Sequence, residues 1–360
     1  MVFIPKYTVT ARMLQNLAKI EIAKQNFETQ PLSPQLLHSL RETAKISAVH
    51  YSTRIEGNKL TLNEVAEAIR GKKLPQKERD EKEVKAYYQA WNAMEQAVRE
   101  HQVFGEDLIG RLHTLIEGEK KIIPYRNCQN AIYDSESGAK VYLPPEFGDV
   151  PQMMLDLCEW ANQAKELPVP LIAGIVHYQF VTIHPYIDGN GRTARLLTSF
   201  IMRANGYDLK GIYSMEEYYA QNLNAYYNAL QTHPHHNYYY GRQDADITSW
   251  LEYFIGGGAE SFDKIDRQAT FQKEQGFSVD RSPIIRELDI KQRKIVELFM
   301  EFKEVNSGQI AQKLSISPES ARGLLRRWLA EGFLQYANPA KKSRTYKLAD
   351  KYERLIGSFS

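Results

Sequence analysis

Apolar residues recur along most of this chain at spacings of three and four, the periodicity of helices that bury one face. One such segment runs from about residue 33 to residue 55, with apolar positions at Leu36, Leu37, Leu40, Ala44 and Ala48. Gly57-Asn58 should end this helix, because glycine and asparagine readily take the left-handed conformation that closes helices. Strand-like alternation is scarce, so the pattern predicts a mainly α fold.

Other helices are predicted from the same periodicity and from capping residues. Thr61, followed three residues later by Glu64, has the form of a capping box at the start of a short helix that ends at Ile69. The remaining predicted helices lie near Leu14–Ala18 and at 78–101, 108–116, 150–165, 170–182 and 193–205, with at least two more before residue 256.

The stretch from Cys128 to Pro145 has a different pattern. Two short apolar runs flank a turn-forming segment that contains Gly138, which is typical of a β-hairpin. The runs are Ala131-Ile132-Tyr133 and Val141-Tyr142-Leu143.

The pattern also predicts a division of the chain into regions. Residues 1–100 form an N-terminal helical region, and residues 101–255 form the central core. Three glycines at 256–258 open a weakly patterned stretch, so residues 256–282 are predicted to be a linker or connecting segment.

Residues 283–360 have the order of elements of a winged helix-turn-helix. Helices are predicted at 290–302, 307–314 and 318–331, followed by strands at 333–336 and 344–348. Basic residues outnumber acidic ones here, and six of them are candidate phosphate contacts for DNA: Arg322, Arg326, Arg327, Lys341, Lys342 and Arg344. A role in dimerisation or substrate docking stays open.

The composition of the chain excludes only a few classes of protein. The net charge of +2 gives no sign of a polyanion-binding protein as a whole. The two cysteines, Cys128 and Cys158, lack metal-ligand spacing and suit a reducing cytosol, although a single disulfide stays open. No apolar run has the length of a membrane span or a signal peptide, so a cytoplasmic location without membrane association is expected.

The segment from His184 to Arg195 carries the most informative chemistry. Its sequence reads His-Pro-Tyr-Ile-Asp-Gly-Asn-Gly-Arg-Thr-Ala-Arg. A glycine-rich loop that leads into a helix N-terminus is a site for anions. Arg192 and Arg195 share one helix face and suit a polyphosphate, Asp188 offers an oxygen to Mg²⁺, and His184 is a general base by type.

This segment resembles the motif of the Fic (Fic/Doc, or fido) family, H-P-F-x-D/E-G-N-G-R-x-x-R, with Tyr186 in place of phenylalanine. The resemblance extends from Leu36 to Phe254 and implies a Fic-type helical core in which the hairpin is a flap. It also implies transfer of AMP from ATP to a Ser, Thr or Tyr hydroxyl of a protein.

The resemblance implies a role for each residue of the motif. His184 would deprotonate the acceptor hydroxyl, and Asp188 would hold Mg²⁺ between the α- and β-phosphates. The phosphates would be cradled by Gly189, Asn190 and Gly191, with Arg192 beside them and Arg195 on the γ-phosphate.

Two further parts of the site follow from the same resemblance. The flap residues Ala131, Ile132, Tyr133, Val141 and Tyr142 would hold an extended segment of the target protein by strand addition. Tyr226-Tyr227 would stack on adenine, with Tyr218-Tyr219 as a competing pair.

Ser52-Thr53-Arg54-Ile55-Glu56-Gly57 matches the family's inhibitory pattern, S/T-x-x-x-E-G/N. Ser52 and Glu56 lie on one helical face. Glu56 is therefore expected to pair with Arg195 and occupy the space that the γ-phosphate needs, which would make the chain its own inhibitor.

Alternatives stay open at this point. A Fic variant could transfer another group, such as phosphate, phosphocholine or UMP, or remove AMP. A DNA-binding regulator could use the core to sense nucleotide. The histidines of 233–236 favour a solvated loop over a metal site. The expected partners are ATP and a protein acceptor, which includes the chain itself, while DNA and a second copy stay open.

Overall fold

The structure is a computed structural model, and it describes residues 3–29, 32, 34–133, 138, 140–274, 288–340 and 344–353. The contacts divide the chain into two compact units, residues 1–29 with 41–268 and residues 30–40 with 269–360. Residues 41–100 therefore share a unit with the central core.

Helices account for most of the chain up to residue 274, as the periodicity predicted. Their bounds are α1 Ala11–Thr29, α2 Pro34–Ile55, α3 Leu62–Ile69, α4 Glu78–Arg99, α5 Glu106–Ile116, α6 Val150–Gln163, α7 Val169–Ile183, α8 Asn190–Ala204, α9 Glu216–Gln221, α10 Leu223–Leu230 and α11 Thr248–Glu274.

Sequence signals set several of these bounds. The capping box is present at the start of α3, where the Thr61 side chain accepts from the Glu64 N–H and the Glu64 carboxylate accepts from the Thr61 N–H. Gly57, which follows the end of α2, has a φ of +94°. Both features are as predicted, because each depends on a local interaction within a few residues.

The pair α7 and α8 forms the centre of the first unit. Nearly every residue of α7 is buried, because the segment is apolar on all sides and must be surrounded by other helices. Helix α8 packs along it and against α4 and α5. The loop between them therefore starts from two fixed helix ends.

Helix α8 begins at Asn190, three residues earlier than predicted. Gly189 takes the left-handed conformation with a φ of +70° and accepts a hydrogen bond from the Thr193 N–H through its carbonyl. Gly189 is thus the N-cap residue of α8. Gly191 and Arg192 consequently lie in the first turn of α8.

The prediction that the glycines at 256–258 end the helical core was wrong, because they lie inside α11. A Cβ atom on Gly257 would stand 2.2 Å from the Tyr218 ring, and one on Gly258 would stand 3.4 Å from the Ile20 side chain. Glycine permits close packing on this helix, so the helix tolerates its low propensity here.

The predicted hairpin is present as β1 (Ile132–Tyr133) and β2 (Lys140–Tyr142), which pair antiparallel. Ile132 lies opposite Tyr142 and Tyr133 opposite Lys140, with an irregularity between the two pairs. The predicted turn at residues 134–137 lies outside the described residues.

The second unit has its own hydrophobic core around Trp328, Phe333 and Leu325. Its elements after residue 288 are α12 Ile290–Glu301, α13 Ser307–Leu314, α14 Pro318–Ala330, β3 Leu334–Asn338, β4 Thr345–Leu348 and α15 Asp350–Glu353. Strands β3 and β4 pair antiparallel, and Val305 bridges to Tyr346. The helices and strands fall where they were predicted, and the winged helix-turn-helix assignment itself stays a prediction.

The structure bears on two expectations from the sequence, one about the cysteines and one about membrane spans. Cys128 and Cys158 are both free thiols, the first exposed and the second buried. Among the described residues, no helix combines the length and apolar character that crossing a membrane requires.

Candidate active site

The loop between α7 and α8 brings the motif residues to one place. His184 ends α7 in the left-handed conformation, with a φ of 52°, and its N–H donates to the Phe180 carbonyl at 3.0 Å. Such a conformation is uncommon for a residue with a side chain and is concentrated at functional sites. It turns the chain sharply before the loop crosses to α8.

The His184 imidazole is poised as a base. Its Nδ1 lies 3.4 Å from the Val181 carbonyl, so Nδ1 carries the proton and Nε2 keeps its lone pair. Burial lowers the pKa of His184 to about 4, and the nearby Arg126 guanidinium acts in the same direction. The ring is therefore neutral at physiological pH and can accept a proton at Nε2.

Asn190 closes the loop with its own side chain. Its Oδ1 accepts from the Tyr186 N–H at 3.0 Å, and its Nδ2 donates to the Tyr186 carbonyl at 2.9 Å. The sequence analysis expected Asn190 to cradle phosphate. The structure corrects that expectation for the side chain, which is occupied by the loop, and leaves only the backbone N–H for such a role.

Tyr186 stands where the family motif has phenylalanine, and its ring makes an aromatic contact within the protein. Its ring stacks on His113 with a centroid distance of 3.5 Å and an interplanar angle of 10°. His113 Nδ1 lies 2.9 Å from Thr193 Oγ1, and burial lowers the pKa of His113 to about 4. His113 was not found from the sequence, because a lone histidine on α5 carries no motif.

Asp188 is the one carboxylate of the loop itself. Its side chain is 81% exposed, and Oδ1 accepts from the Gly189 N–H at 2.7 Å. Mg²⁺ typically binds one or two carboxylates and completes its shell with substrate phosphates and water. The described residues contain no cluster of three or more metal-ligating side chains, so a single accessible carboxylate fits Mg²⁺ only if it arrives with phosphate.

Both motif glycines stand beside carboxylates from other helices. A Cβ atom on Gly189 would lie 2.2 Å from Glu117 Oε1, and one on Gly191 would lie 2.5 Å from Glu56 Oε1. The N-terminus of α8 therefore has acidic oxygens close to it, as expected of a site that favours negative charge.

Arg195 is buried and is held by the end of α2. Its Nε donates to Ser52 Oγ and one of its terminal nitrogens donates to the Ser52 carbonyl, each at 2.9 Å. The same terminal nitrogen donates to Glu56 Oε1 at 2.7 Å. Burial opposes the charge of Arg195, but the Glu56 carboxylate outweighs it and raises the pKa of the guanidinium. The expected pairing of Ser52 and Glu56 with Arg195 is present.

Arg192 is held by two acidic residues that the sequence analysis did not identify. One terminal nitrogen donates to Glu83 Oε1 at 2.8 Å, and the other donates to Glu117 Oε1 at 3.0 Å. Its Nε is buried and has no hydrogen-bond partner among the described residues. Burial raises the pKa of Glu117, and the Arg192 guanidinium opposes that rise. Neither acid belongs to a recognisable motif, since each lies on a charged helix surface in the sequence.

The two candidate adenine-stacking tyrosines have different positions. Tyr226 is 2% exposed and its hydroxyl lies 2.9 Å from His177 Nε2, so neither face of its ring is open to a purine. The prediction for Tyr226 is corrected on that ground. Tyr227 is 43% exposed and stays a candidate. In the competing pair Tyr219 is buried and Tyr218 packs on Gly257.

The flap residues also differ in what they can offer. Tyr133 is 60% exposed, and Ala131, Ile132 and Val141 are partly buried. Tyr142 is buried and its hydroxyl donates to the Thr182 carbonyl at 2.7 Å. The Tyr142 side chain therefore anchors the hairpin to α7, and a main-chain role of this residue in holding a target stays a prediction.

The basic residues of the second unit are only partly available. Arg327 forms ion pairs with Asp289 at 3.1 Å and with Glu331 at 3.5 Å, whereas Arg322 and Arg326 are exposed. The Arg344 guanidinium lies over the Tyr336 ring. Lys341 and Lys342 lie outside the described residues.

Comparisons with known proteins agree with this arrangement. Residues 103–202 match the model of the Fic/DOC family. The protein adenylyltransferase fic-1 of Caenorhabditis elegans is 29% identical over 213 residues, which cover 57% of this chain and 41% of that protein. The chain thus spans less than half the length of the curated relative it matches.

Solved structures share the fold. A Fic family protein from Desulfovibrio desulfuricans has a TM-score of 0.62 at 23% identity, over 97% of this chain and 99% of that one. Fic-1 from C. elegans has a TM-score of 0.57 at 23% identity, over 72% of this chain and 73% of that one. The loop and helix that carry the motif, His184 to Arg195, lie within the residues that match the Fic/DOC family model.

Proposed function

We propose that this chain transfers AMP from ATP to a hydroxyl group of a protein and that Glu56 restrains the reaction. The observation that carries the proposal is the assembly at the start of α8. A neutral histidine, an exposed carboxylate and two arginines surround a helix N-terminus there. A curated relative named a protein adenylyltransferase supports the choice of AMP as the transferred group.

The chemistry would be a displacement at the α-phosphorus of ATP. The hydroxyl oxygen of the acceptor forms a bond to that phosphorus as its proton passes to Nε2 of His184. The bond from the α-phosphorus to the oxygen that bridges to the β-phosphate breaks, and pyrophosphate leaves with that electron pair. A neutral base with a defined free nitrogen suits the first event, because the hydroxyl must lose its proton as it attacks.

The residues of the chain would contribute mainly position and charge. The unpaired N–H groups in the first turn of α8 would bind phosphate oxygens, and the unpartnered Nε of Arg192 adds a buried donor beside them. Asp188 would hold Mg²⁺. That ion would neutralise phosphate charge when it arrives with ATP.

Glu56 would restrain this reaction by occupying Arg195. The guanidinium is buried and already has three short contacts, with the Ser52 hydroxyl, the Ser52 carbonyl and the Glu56 carboxylate. A γ-phosphate that needs the same guanidinium must displace Glu56. Glu56 is 32% exposed, so it can leave without repacking the core.

The exposed edge of the flap would receive the acceptor. Tyr133 lies on β1 and is largely exposed. An extended segment of the acceptor would add to this hairpin as a further strand, which binds main chain without strong sequence demands.

Intact-mass analysis of a Glu56→Gly variant tests the proposal. The variant is incubated with ATP and Mg²⁺, and the protein is expected to gain the mass of one or more AMP groups. A Glu56→Gly, His184→Ala double variant serves as control and should gain none. A gain equal to phosphate, or no gain with a folded and ATP-binding protein, would contradict AMP transfer.

A further inference from the structure

The carboxylate of Glu83 contacts two parts of the site that are far apart in sequence. Glu83, on α4, accepts from Arg192 through Oε1 at 2.8 Å and from Asn58 Nδ2 through Oε2 at 2.8 Å. Its side chain is 20% exposed, so both contacts are shielded from much of the solvent. Glu83 therefore touches an arginine of the motif and the segment that follows Glu56 at the same time.

Asn58 fixes the turn that carries Glu56, which we call the Glu56 turn and define as residues 56–58. Asn58 is 6% exposed. Its Nδ2 also donates to the Asp80 carbonyl at 3.1 Å, and its Oδ1 accepts from the Leu60 N–H at 3.1 Å. The turn is thus tied to α4 two residues after the carboxylate that pairs with Arg195.

The backbone of the Glu56 turn is held by local hydrogen bonds. Its three N–H groups donate back to the last turn of α2: Glu56 and Asn58 to the Thr53 carbonyl, and Gly57 to the Arg54 carbonyl. Gly57 has a φ of +94°, which gives the turn little intrinsic stiffness. The Glu56 turn is therefore held by the contact of Glu56 with Arg195 at one end and by the anchor at Asn58 at the other.

Arg192 connects this anchor to the nucleotide site. It lies in the first turn of α8 and is shared between Glu83 and Glu117. A phosphate group at the helix N-terminus would compete with both carboxylates for the guanidinium, because a phosphate presents stronger and more numerous acceptor oxygens. When Arg192 turns to phosphate, the Glu83 carboxylate is no longer fixed through Oε1, so its contact with Asn58 through Oε2 loses that support.

We propose that Glu83 is a positioning residue that couples Arg192 to the Glu56 turn, so that nucleotide phosphate on Arg192 loosens the hold on Glu56. This inference rests on the proposed function, since it assumes that the site binds ATP. It adds a second connection between the nucleotide and the inhibitory segment, beside the direct contact of Glu56 with Arg195.

Hydrogen exchange of the Glu56 turn tests the coupling in the full chain. In the unmodified protein, ATP with Mg²⁺ should slow exchange in the first turn of α8 and speed exchange at residues 56–58. In Glu83→Gln, exchange at 56–58 should be faster by roughly tenfold without ATP, the order expected from one lost charge-assisted hydrogen bond, and ATP should add little. Glu78→Gln, an exposed change on the same helix, should behave like the unmodified protein.

A transfer assay separates this role from a merely structural one. Glu83→Gln should raise AMP transfer by a clearly larger factor when Glu56 is present than in the Glu56→Gly background. Equal effects in both backgrounds, or an ATP response at 56–58 that persists in Glu83→Gln, would overturn the coupling alone. If ATP leaves exchange in α8 unchanged, the proposed function fails and the coupling fails with it.

Discussion

The guanidinium of Arg195 donates a 2.7 Å hydrogen bond to the carboxylate of Glu56, which lies 139 residues earlier in the chain. Arg195 is 1% exposed, and the Glu56 carboxylate compensates its charge inside the protein. The same contact holds the segment that we propose to be inhibitory and occupies an arginine of the motif.

Gly191 provides a test of how close Glu56 stands to the motif. An added Cβ would lie 2.5 Å from Glu56 Oε1, so Gly191→Ala should force Glu56 away and destabilise the protein. In the Glu56→Gly background the 2.5 Å contact is gone, only Arg195 Nη1 lies near at 3.2 Å, and the better helix propensity of alanine contributes up to about 0.5–1 kcal/mol. Thermal melts of the four proteins should give a coupling of at least about 1 kcal/mol. Equal shifts in both backgrounds would refute the close approach.

Tyr227 should contribute to nucleotide binding where Tyr226 does not. Tyr227→Ala in the Glu56→Gly background is expected to weaken ATP binding by about tenfold, since stacking of a base on an aromatic ring contributes about 1–3 kcal/mol. Tyr227→Phe should keep the affinity. Calorimetric titration with ATP measures both, and Tyr240→Ala, a change at a 69% exposed ring, is the control. An unchanged affinity in Tyr227→Ala would remove Tyr227 from the site.

Gly257 tests why three glycines are tolerated in a long helix. Gly257→Ala should destabilise the protein by about 1–3 kcal/mol, because its Cβ would meet the Tyr218 ring at 2.2 Å. Gly256→Ala, the neighbouring change, meets only Asn16 at 3.6 Å and should be neutral or stabilising. Chemical denaturation measures the two. Similar effects from both changes would mean that close packing is not the reason for glycine at 257.

His177 should make the protein sensitive to acid. Its Nδ1 lies 3.0 Å from Thr198 Oγ1 and its Nε2 lies 2.9 Å from the Tyr226 hydroxyl, and burial lowers its pKa to about 3. The unfolded chain binds a proton near pH 6.5, whereas the folded chain does not until near pH 3. The free energy of unfolding should therefore fall as the pH falls through this window, by up to about 1.4 kcal/mol per pH unit for this residue.

The matching variant is His177→Gln, since an amide can keep one donor and one acceptor at this place. The slope of unfolding free energy against pH should become shallower in this variant between pH 6 and pH 4. Urea denaturation at several pH values measures the slope. If the slope is the same in both proteins, His177 binds its proton at the same pH in the folded and the unfolded chain. Burial then does not lower its pKa.

The parts of the fold that sequence predicted well depend on local signals. A few neighbouring residues determine the capping box at Thr61, the end of α2 at Gly57 and the apolar helix α7. The sequence pattern was therefore enough to predict these three features. The glycines of α11 misled the prediction, because Gly257 packs closely against Tyr218, which is distant in sequence. A local pattern contains no information on such a contact.

The residues of the candidate site also differ in whether the sequence could predict them. The sequence was enough to recognise the contiguous motif from His184 to Arg195 and the short pattern that resembles the family's inhibitory one. The structure brings Glu56 and Ser52 to Arg195. Glu83 and Glu117 were missed, since a single glutamate on a charged helix has no distinguishing neighbours. Tyr226 was misassigned because residue type alone cannot separate a buried tyrosine from an exposed one.

The most direct test of the account measures transfer of label from ATP labelled at its α-phosphate. The assay compares the unmodified chain, Glu56→Gly, and Glu56→Gly with His184→Ala, each checked for folding by its melting curve. We expect weak labelling of the unmodified chain and none in the double variant. Labelling should be at least about tenfold stronger in Glu56→Gly, the order set by removing one charged contact. Equal labelling of the unmodified chain and Glu56→Gly, or labelling that survives loss of His184, would contradict it.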